Sequence, residues 1–289
     1  MIFYVIGDLR PITCLIEKGK NMLLKVLVEN NTLIDQYYLG EPGISFYIED
    51  EDNKILFDTG YSNILIKNAK AMGISLQGVD TIVCSHGHND HTKGLKYLIQ
   101  EYDLSNTKMV AHPDCFLPKE DGIESFGAPY SIKELHQLFH VVLTKTPYKI
   151  SKHMTFLGEI PQLNFFEQRK KIGFCKRDEV LENDYLMDDS AVVYQDSEGI
   201  FIITGCSHSG ICNIIEYAKI VCGDHRIKGV IGGFHLFQTN EVLDKTIQYM
   251  KENKISQLYP CHCVSFQVKA KMNEVLHVNE VGVGMELVL

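Results

Sequence analysis

No stretch of this 289-residue sequence stays apolar for the roughly 20 residues that a membrane-crossing helix needs. A bilayer span is excluded on that ground. A basic excess is missing too. Lys and Arg total 28 against 37 Asp and Glu, a net charge of −9, which argues against a nonspecific nucleic-acid or anionic-membrane binder. Any anionic ligand then needs a local basic pocket. The apolar start, residues 1–6, lacks a basic leader and a small-residue cleavage site and is broken by Gly7-Asp8. The nine cysteines are an odd count in a chain too large to need a disulfide framework, so the expected location is a reducing cytoplasm. Internal repeats, low-complexity tracts and linker-like stretches are also lacking. With 45% hydrophobic and 22% charged residues, the chain has an ordinary globular composition and the length to bury a core.

What is present is an alternation of strand and helix signals. Met22 precedes the first clear strand, 23–28, so residues 1–21 are expected to be an N-terminal extension, either not native or an extra edge strand. Residues 44–48 and 54–57 read as a hairpin, 64–72 as a helix stopped by Gly73, and 81–84 as a buried strand. A helix near 93–101, a strand near 108–111 and a helix near 131–139 follow, the last with Ser131 and Glu134 at capping-box spacing. A second hairpin (191–194 and 199–204), a helix (211–221), a strand (228–231) and a helix (241–253) complete the reading. The expected organisation is one α/β domain over 22–289, carrying a long insertion at about 113–185.

The chemistry is concentrated in Ser85-His86-Gly87-His88-Asn89-Asp90-His91, directly after the strand 81–84. Imidazole nitrogens and carboxylate oxygens are the usual ligands of zinc and other borderline divalent ions. In an extended loop His86 and His88 point the same way, while Asp90 and His91 fall where the chain turns into a helix, so two neighbouring ions could share the set. The competing reading is a polar surface loop. Cys261-x-Cys263 brackets His262, but no second pair has the spacing of a structural zinc site.

The sequence resembles the metallo-β-lactamase superfamily, whose His-x-His-x-Asp-His signature is matched by His86, His88, Asp90 and His91. Asp58-Thr59-Gly60, Thr204-Gly205-Cys206-Ser207-His208, Gly232-Gly233-Phe234-His235-Leu236 and Cys261-His262-Cys263 resemble motifs of its dihydropteroate-synthase-like branch, which includes dihydropterin–ribofuranosylaminobenzene-phosphate synthases. The resemblance runs from about Met22 to the C-terminus. It implies a four-layer αββα sandwich with a metal site at one edge, between the two sheets. It also implies His86 and His88 on a first ion, Asp90 and His91 on a second, and His262 as the last histidine ligand. His208 is expected as a sixth ligand, the alternative being a helix-capping role. Two departures stand out. Cys206 occupies the place of a commonly bridging aspartate, and the superfamily's middle histidine has no obvious counterpart, leaving Asp188, Asp189 or His208 to stand in. The expected cofactors are two divalent ions, zinc first, with manganese and iron as alternatives.

His235 follows a bare Gly pair that would let a ligand approach the backbone, and is read as a substrate-facing catalytic donor or, equally, as a support for a metal ligand. Asp90 would orient the attacking water or carry its proton. Residues 168–177 hold five basic side chains and no acidic one. Arg169, Lys170 and Lys176 are the candidate phosphate contacts, a solvated loop being the alternative. Phe126, Tyr130, Phe165 and Phe166 could offer faces to a flat ring. The expected function is a metal-dependent hydrolase acting on a small anionic, phosphorylated substrate. The alternatives are a transferase joining a pterin-like diphosphate to an aromatic amine, and a non-catalytic metal-binding or sensor protein. The expected partner is that small molecule, with no nucleic acid and no membrane.

Overall fold

Alternation along the strands sorts the apolar side chains into three cores. In the strand Ser45–Asp50, Phe46 and Ile48 join one cluster and Tyr47 a second. In Ile200–Thr204, Phe201 and Ile203 join that same first cluster, while Ile200 and Ile202 face a third. A period of two with both faces buried is what a strand covered on each side requires. The computed structural model describes residues 22–289, so the expectations for residues 1–21 lie outside the described residues.

The first sheet has seven strands in the order Glu286–Val288, Leu23–Val28, Ser45–Asp50, Asn53–Phe57, Thr81–Val83, Lys108–Ala111, His140–Leu143. The second has six: Gln257–Pro260, Ile227–Gly232, Ile200–Thr204, Ala191–Gln195, Met154–Phe156, Tyr148–Lys149. The shared core between them holds Phe46, Phe57, Phe156 and Phe201, each wholly buried. Each such ring contributes about 1.5–3 kcal/mol. Leu65, Leu95 and Leu135, from the helices Ile64–Ala71, Leu95–Glu101 and Ile132–Leu138, pack on the outer face of the first sheet. Ile211–Cys222, Glu241–Glu252 and Phe266–Asn273 cover the second. The result is the expected αββα sandwich. Among the described residues no helix is long and apolar enough to cross a membrane.

Local signals explain several ends. Ser131 and Glu134 form the capping box that their spacing foretells, and the Asn240 and Ser265 side chains accept from Leu243 N and Val268 N. Gly210 begins Ile211–Cys222 without a side chain of its own, and Glu167 supplies the cap from a distance, accepting from Cys212 N at 3.1 Å and Asn213 N at 3.0 Å.

The insertion expected at 113–185 needs correction. His140–Leu143 is the edge of the first sheet, and Tyr148–Lys149 and Met154–Phe156 belong to the second. What stands outside the sandwich is a small sheet of Val180–Asn183, Phe174–Arg177 and Lys119–Glu120, with the loops around it.

Asn53–Phe57, Thr81–Val83 and Lys108–Ala111 run parallel, as do Ile200–Thr204, Ile227–Gly232 and Gln257–Pro260 in the other sheet. Their carboxyl ends meet at one edge of the sandwich. At the far edge Asp50 pairs with His153 at 3.0 Å and accepts from Ser151, joining the sheets there.

Candidate metal centre

Every strand that ends at this edge hands over a polar residue, and the backbone is bent to aim it. Asp58, Ser207, His235 and His262 have φ of 55°, 57°, 50° and 53°, the left-handed region that non-glycine residues rarely adopt. Close approach is the reason for the glycines. A Cβ on Gly205 would sit 2.1 Å from Ser85 Oγ, and one on Gly233 would sit 2.4 Å from Cys263 Sγ. The bare Gly232-Gly233 pair thus admits neighbouring strand ends, rather than the ligand that the sequence suggested.

Two groups of ligand-type side chains result. His86, His88 and His208 form one, with ring centroids 4.7 Å (His86–His88), 4.9 Å (His86–His208) and 5.0 Å (His88–His208) apart. Their buried atoms His86 Nε2, His88 Nε2 and both ring nitrogens of His208 have no hydrogen-bond partner among the described residues. Burial pushes the pKa of His86 and His208 well below the ordinary imidazole value and that of His88 down to about 4, so the rings are neutral and their lone pairs free. Of the three stand-ins weighed for a middle histidine, His208 has its ring beside those of both His86 and His88.

The second group is Asp90, His91 and His262. His91 Nδ1 bonds Asp58 Oδ2 at 2.7 Å and His262 Nδ1 bonds Asn30 Oδ1 at 3.1 Å, and both oxygens can only accept. The protons therefore lie on Nδ1, and both Nε2 atoms present lone pairs. The two Nε2 atoms lie 3.2 Å apart, with Asp90 Oδ2 3.6 Å from His91 Nε2 and 3.3 Å from His262 Nε2. Such a cluster of nitrogen and carboxylate acceptors attracts positive charge, whether a proton or a metal cation. Burial opposes a charged His91, yet Asp90 and Asp58 outweigh burial and raise its pKa, so the surroundings favour positive charge at this point.

Cys206 lies between the groups. Its Sγ is 3.3 Å from His91 Nε2. The ligand atoms of His86, Cys206 and His208 lie within 4.8 Å of one another, and so do those of His91, Cys206 and His262. The residues fit two divalent ions of the borderline class.

The orienting residues were largely invisible in the sequence. Asp58 accepts from Ser85 N at 2.7 Å and Ser85 Oγ at 2.6 Å, and Ser85 Oγ meets His86 Nδ1 at 3.0 Å. One carboxylate therefore holds His91 directly and His86 through a hydroxyl. Glu29 accepts from His262 N at 2.7 Å. Beneath the loop, wholly buried Lys119 pairs with Asp184 at 2.7 Å and Asp188 at 3.0 Å, and Asp188 accepts from Gly87 N at 2.8 Å. With both oxygens so engaged, Asp188 braces the loop. Asp189 accepts from Ser209 N and Oγ through Oδ2, while its buried Oδ1 has no hydrogen-bond partner among the described residues.

His235 lies with its ring 4.3 Å from that of His208 and lines a cavity of about 510 Å³ together with Lys170, Phe165, Phe166 and Phe237. Burial and then Lys170 lower its pKa to about 4, which keeps the ring neutral. A second cavity of about 450 Å³ is lined by His88, Asp90, Phe126 and Tyr61, and Ile172 lines both. Tyr130 packs on the outer core of the first sheet instead. The basic stretch is mostly spent on the protein. Arg169 donates to the carbonyls of Leu186 and Ile160, Lys171 sits 3.7 Å from the Phe174 ring centre, Lys176 pairs with Glu179, and Arg177 holds Asp114 through two bonds. The expectation for Lys176 is corrected accordingly; Arg169 and Lys170 both line the larger cavity, Arg169 with its guanidinium engaged by carbonyls and Lys170 with no ion pair or hydrogen bond among the described residues.

A profile of the metallo-beta-lactamase superfamily matches residues 40–262. The chain belongs to that superfamily. It is 36% identical over 255 residues to an uncharacterized protein of Methanocaldococcus jannaschii, covering 88% of this chain and 94% of the relative. It is 29% identical over 284 residues to that organism's 7,8-dihydropterin-6-methyl-4-(beta-D-ribofuranosyl)-aminobenzene-5'-phosphate synthase, covering 88% and 91%. Among solved structures, a metal-dependent hydrolase of the beta-lactamase superfamily superposes with a TM-score of 0.79 at 27% identity, over 92% of this chain and 98% of that one. Unliganded yeast PDE1 matches at 0.59 and 12% identity over 93% and 100%, a likeness of fold alone.

Proposed function

We propose that the protein is a metal-dependent hydrolase of small anionic, phosphorylated substrates, working with two divalent ions held by His86, His88 and His208 and by Asp90, His91 and His262. The observation that supports it is the convergence of five imidazoles and one carboxylate, all metal-ligand types, beside two cavities. Bound ions of this kind lower the pKa of water and polarise a substrate oxygen. The chain's own groups do the rest. Asp90, 29% exposed at the rim of the second cavity, accepts and passes on the proton of the attacking water. Neutral His235 donates a hydrogen bond to the oxygen on which charge develops, and Lys170 draws the anionic group into the larger cavity. Phe165, Phe166 and Phe237 give that cavity faces for an apolar or flat portion.

A second reading, group transfer from a pterin-like diphosphate to an aromatic amine, is favoured by the synthase among the relatives and by the aromatic cavity. One experiment separates them. Metal-loaded protein is given phosphomonoesters, phosphodiesters and diphosphate esters, with and without an aromatic amine. Hydrolysis that ignores the amine supports the first reading. Diphosphate release that requires the amine replaces it with the second, and neither activity in loaded protein leaves a non-catalytic metal binder.

A further inference from the structure

We propose that Cys206 is a bridging thiolate that touches both ions, making this a thiophilic dinuclear centre suited to zinc, cobalt or cadmium rather than to manganese or magnesium. The inference rests on the metal-dependent reading above and adds the identity of the shared ligand. Its ground is geometric. Of the side chains at the edge, Cys206 alone belongs to both groups of mutually close ligand atoms, with His86 and His208 on one side and His91 and His262 on the other. Its sulfur points at a nitrogen lone pair, 3.3 Å from His91 Nε2. The strand Ile200–Thr204 ends two residues earlier, and Gly205 lets the turn lie against Ser85 and Asp58, which brings the sulfur within 4.8 Å of ligand atoms of both His86 and His91. Cys263, the neighbouring thiol, is otherwise engaged: its sulfur accepts from His235 N at 3.3 Å and lies 3.5 Å from the Cys206 carbonyl oxygen. A soft donor placed at the midpoint biases both positions towards soft and borderline ions, because hard ions prefer oxygen.

Stepwise loading of metal-free protein with cobalt(II), followed by absorption, tests this. The expected result is a near-ultraviolet thiolate-to-cobalt charge-transfer band that grows through both equivalents alongside the visible ligand-field bands. Cys206→Ser should abolish the charge-transfer band, Cys263→Ser should keep it, and Cys206→Asp should restore two-ion loading without it. Manganese in tenfold excess should fail to displace cobalt from the native chain. Ligand-field bands without a charge-transfer band would leave the metal centre standing and reduce Cys206 to a thiol hydrogen-bonded to His91. A charge-transfer band that stops at the first equivalent would make Cys206 a terminal ligand and end the bridge. Failure of cobalt to bind at all would remove the metal-dependent reading as well.

Discussion

His208 and His235 lie with ring centroids 4.3 Å apart, yet replacing them should have opposite effects on metal content. His208→Ala should lose one of two ions, because its orphaned nitrogens join His86 and His88, whereas His235→Ala should keep both and lower kcat by about 10²–10³, the usual cost of removing a charge-stabilising donor. Elemental analysis beside steady-state rates checks this, and ion loss in His235→Ala would put that ring among the ligands. Asp58 acts through others. An amide in Asp58→Asn can present a donor to Ser85 or to His91 Nδ1, and metal affinity should fall about 10–100-fold in a competition with a chromophoric chelator. These two residues also mark the limit of legibility at this scale. His86 to His91 could be recognised because six positions carry the whole signal. The orientation of His262 depends on Asn30, 232 positions away, and of His91 on Asp58, 33 away, and no local pattern encodes such pairings.

Among the elements, the hairpin Phe174–Arg177 and Val180–Asn183 escaped notice because Val180–Asn183 is exposed throughout and has no hydrophobic alternation to read. The inner strands of the main sheets were legible for the opposite reason, burying both faces between turns, whereas His140–Leu143, Tyr148–Lys149, Met154–Phe156 and Gln257–Pro260 went unread. Arg177 ties the hairpin to Asp114 beside the site, at 2.9 and 2.7 Å. Burial works against a charged Asp114, but the hydrogen bonds from Arg177 outweigh it and hold its pKa below the ordinary carboxylate value. A carboxyl whose folded pKa is depressed stabilises fully above its unfolded value, near about 4, and loses that contribution as pH falls through the folded value. Arg177 is 42% exposed, so solvent screening limits the pair to about 0.5–1 kcal/mol. Amide exchange in residues 174–183, corrected for intrinsic rates, should be flat from neutrality to about pH 4 and faster below it. Arg177→Gln should show the faster exchange at every pH, and an unchanged profile would mean that the hairpin is held by its backbone alone.

For the molecule as a whole, the ions should act on stability by mass action. At a free concentration a hundredfold above Kd, a bound ion contributes about 2.7 kcal/mol. At about 2–4 °C per kcal/mol for chains of this order of size, loading one position should raise Tm by roughly 5–11 °C, and a chelator should reverse it. Calorimetry that finds no shift would show that folded and unfolded chains bind the ions equally. The shift would not be spread evenly. Three histidines come from the end of one strand of the first sheet, while Cys206, His208 and His262 come from strand ends of the second, and Asp50 with His153 joins the opposite edge without any ion. The sandwich is thus a book sewn along both edges, at the spine by Asp50 with His153 and at the fore-edge by Glu29 and Asn30 with His262, to which bound ions would add a clasp. An ion-starved chain should therefore stay shut, and any loosening should begin at the fore-edge, where the ions would have added to the seam and where the substrate enters.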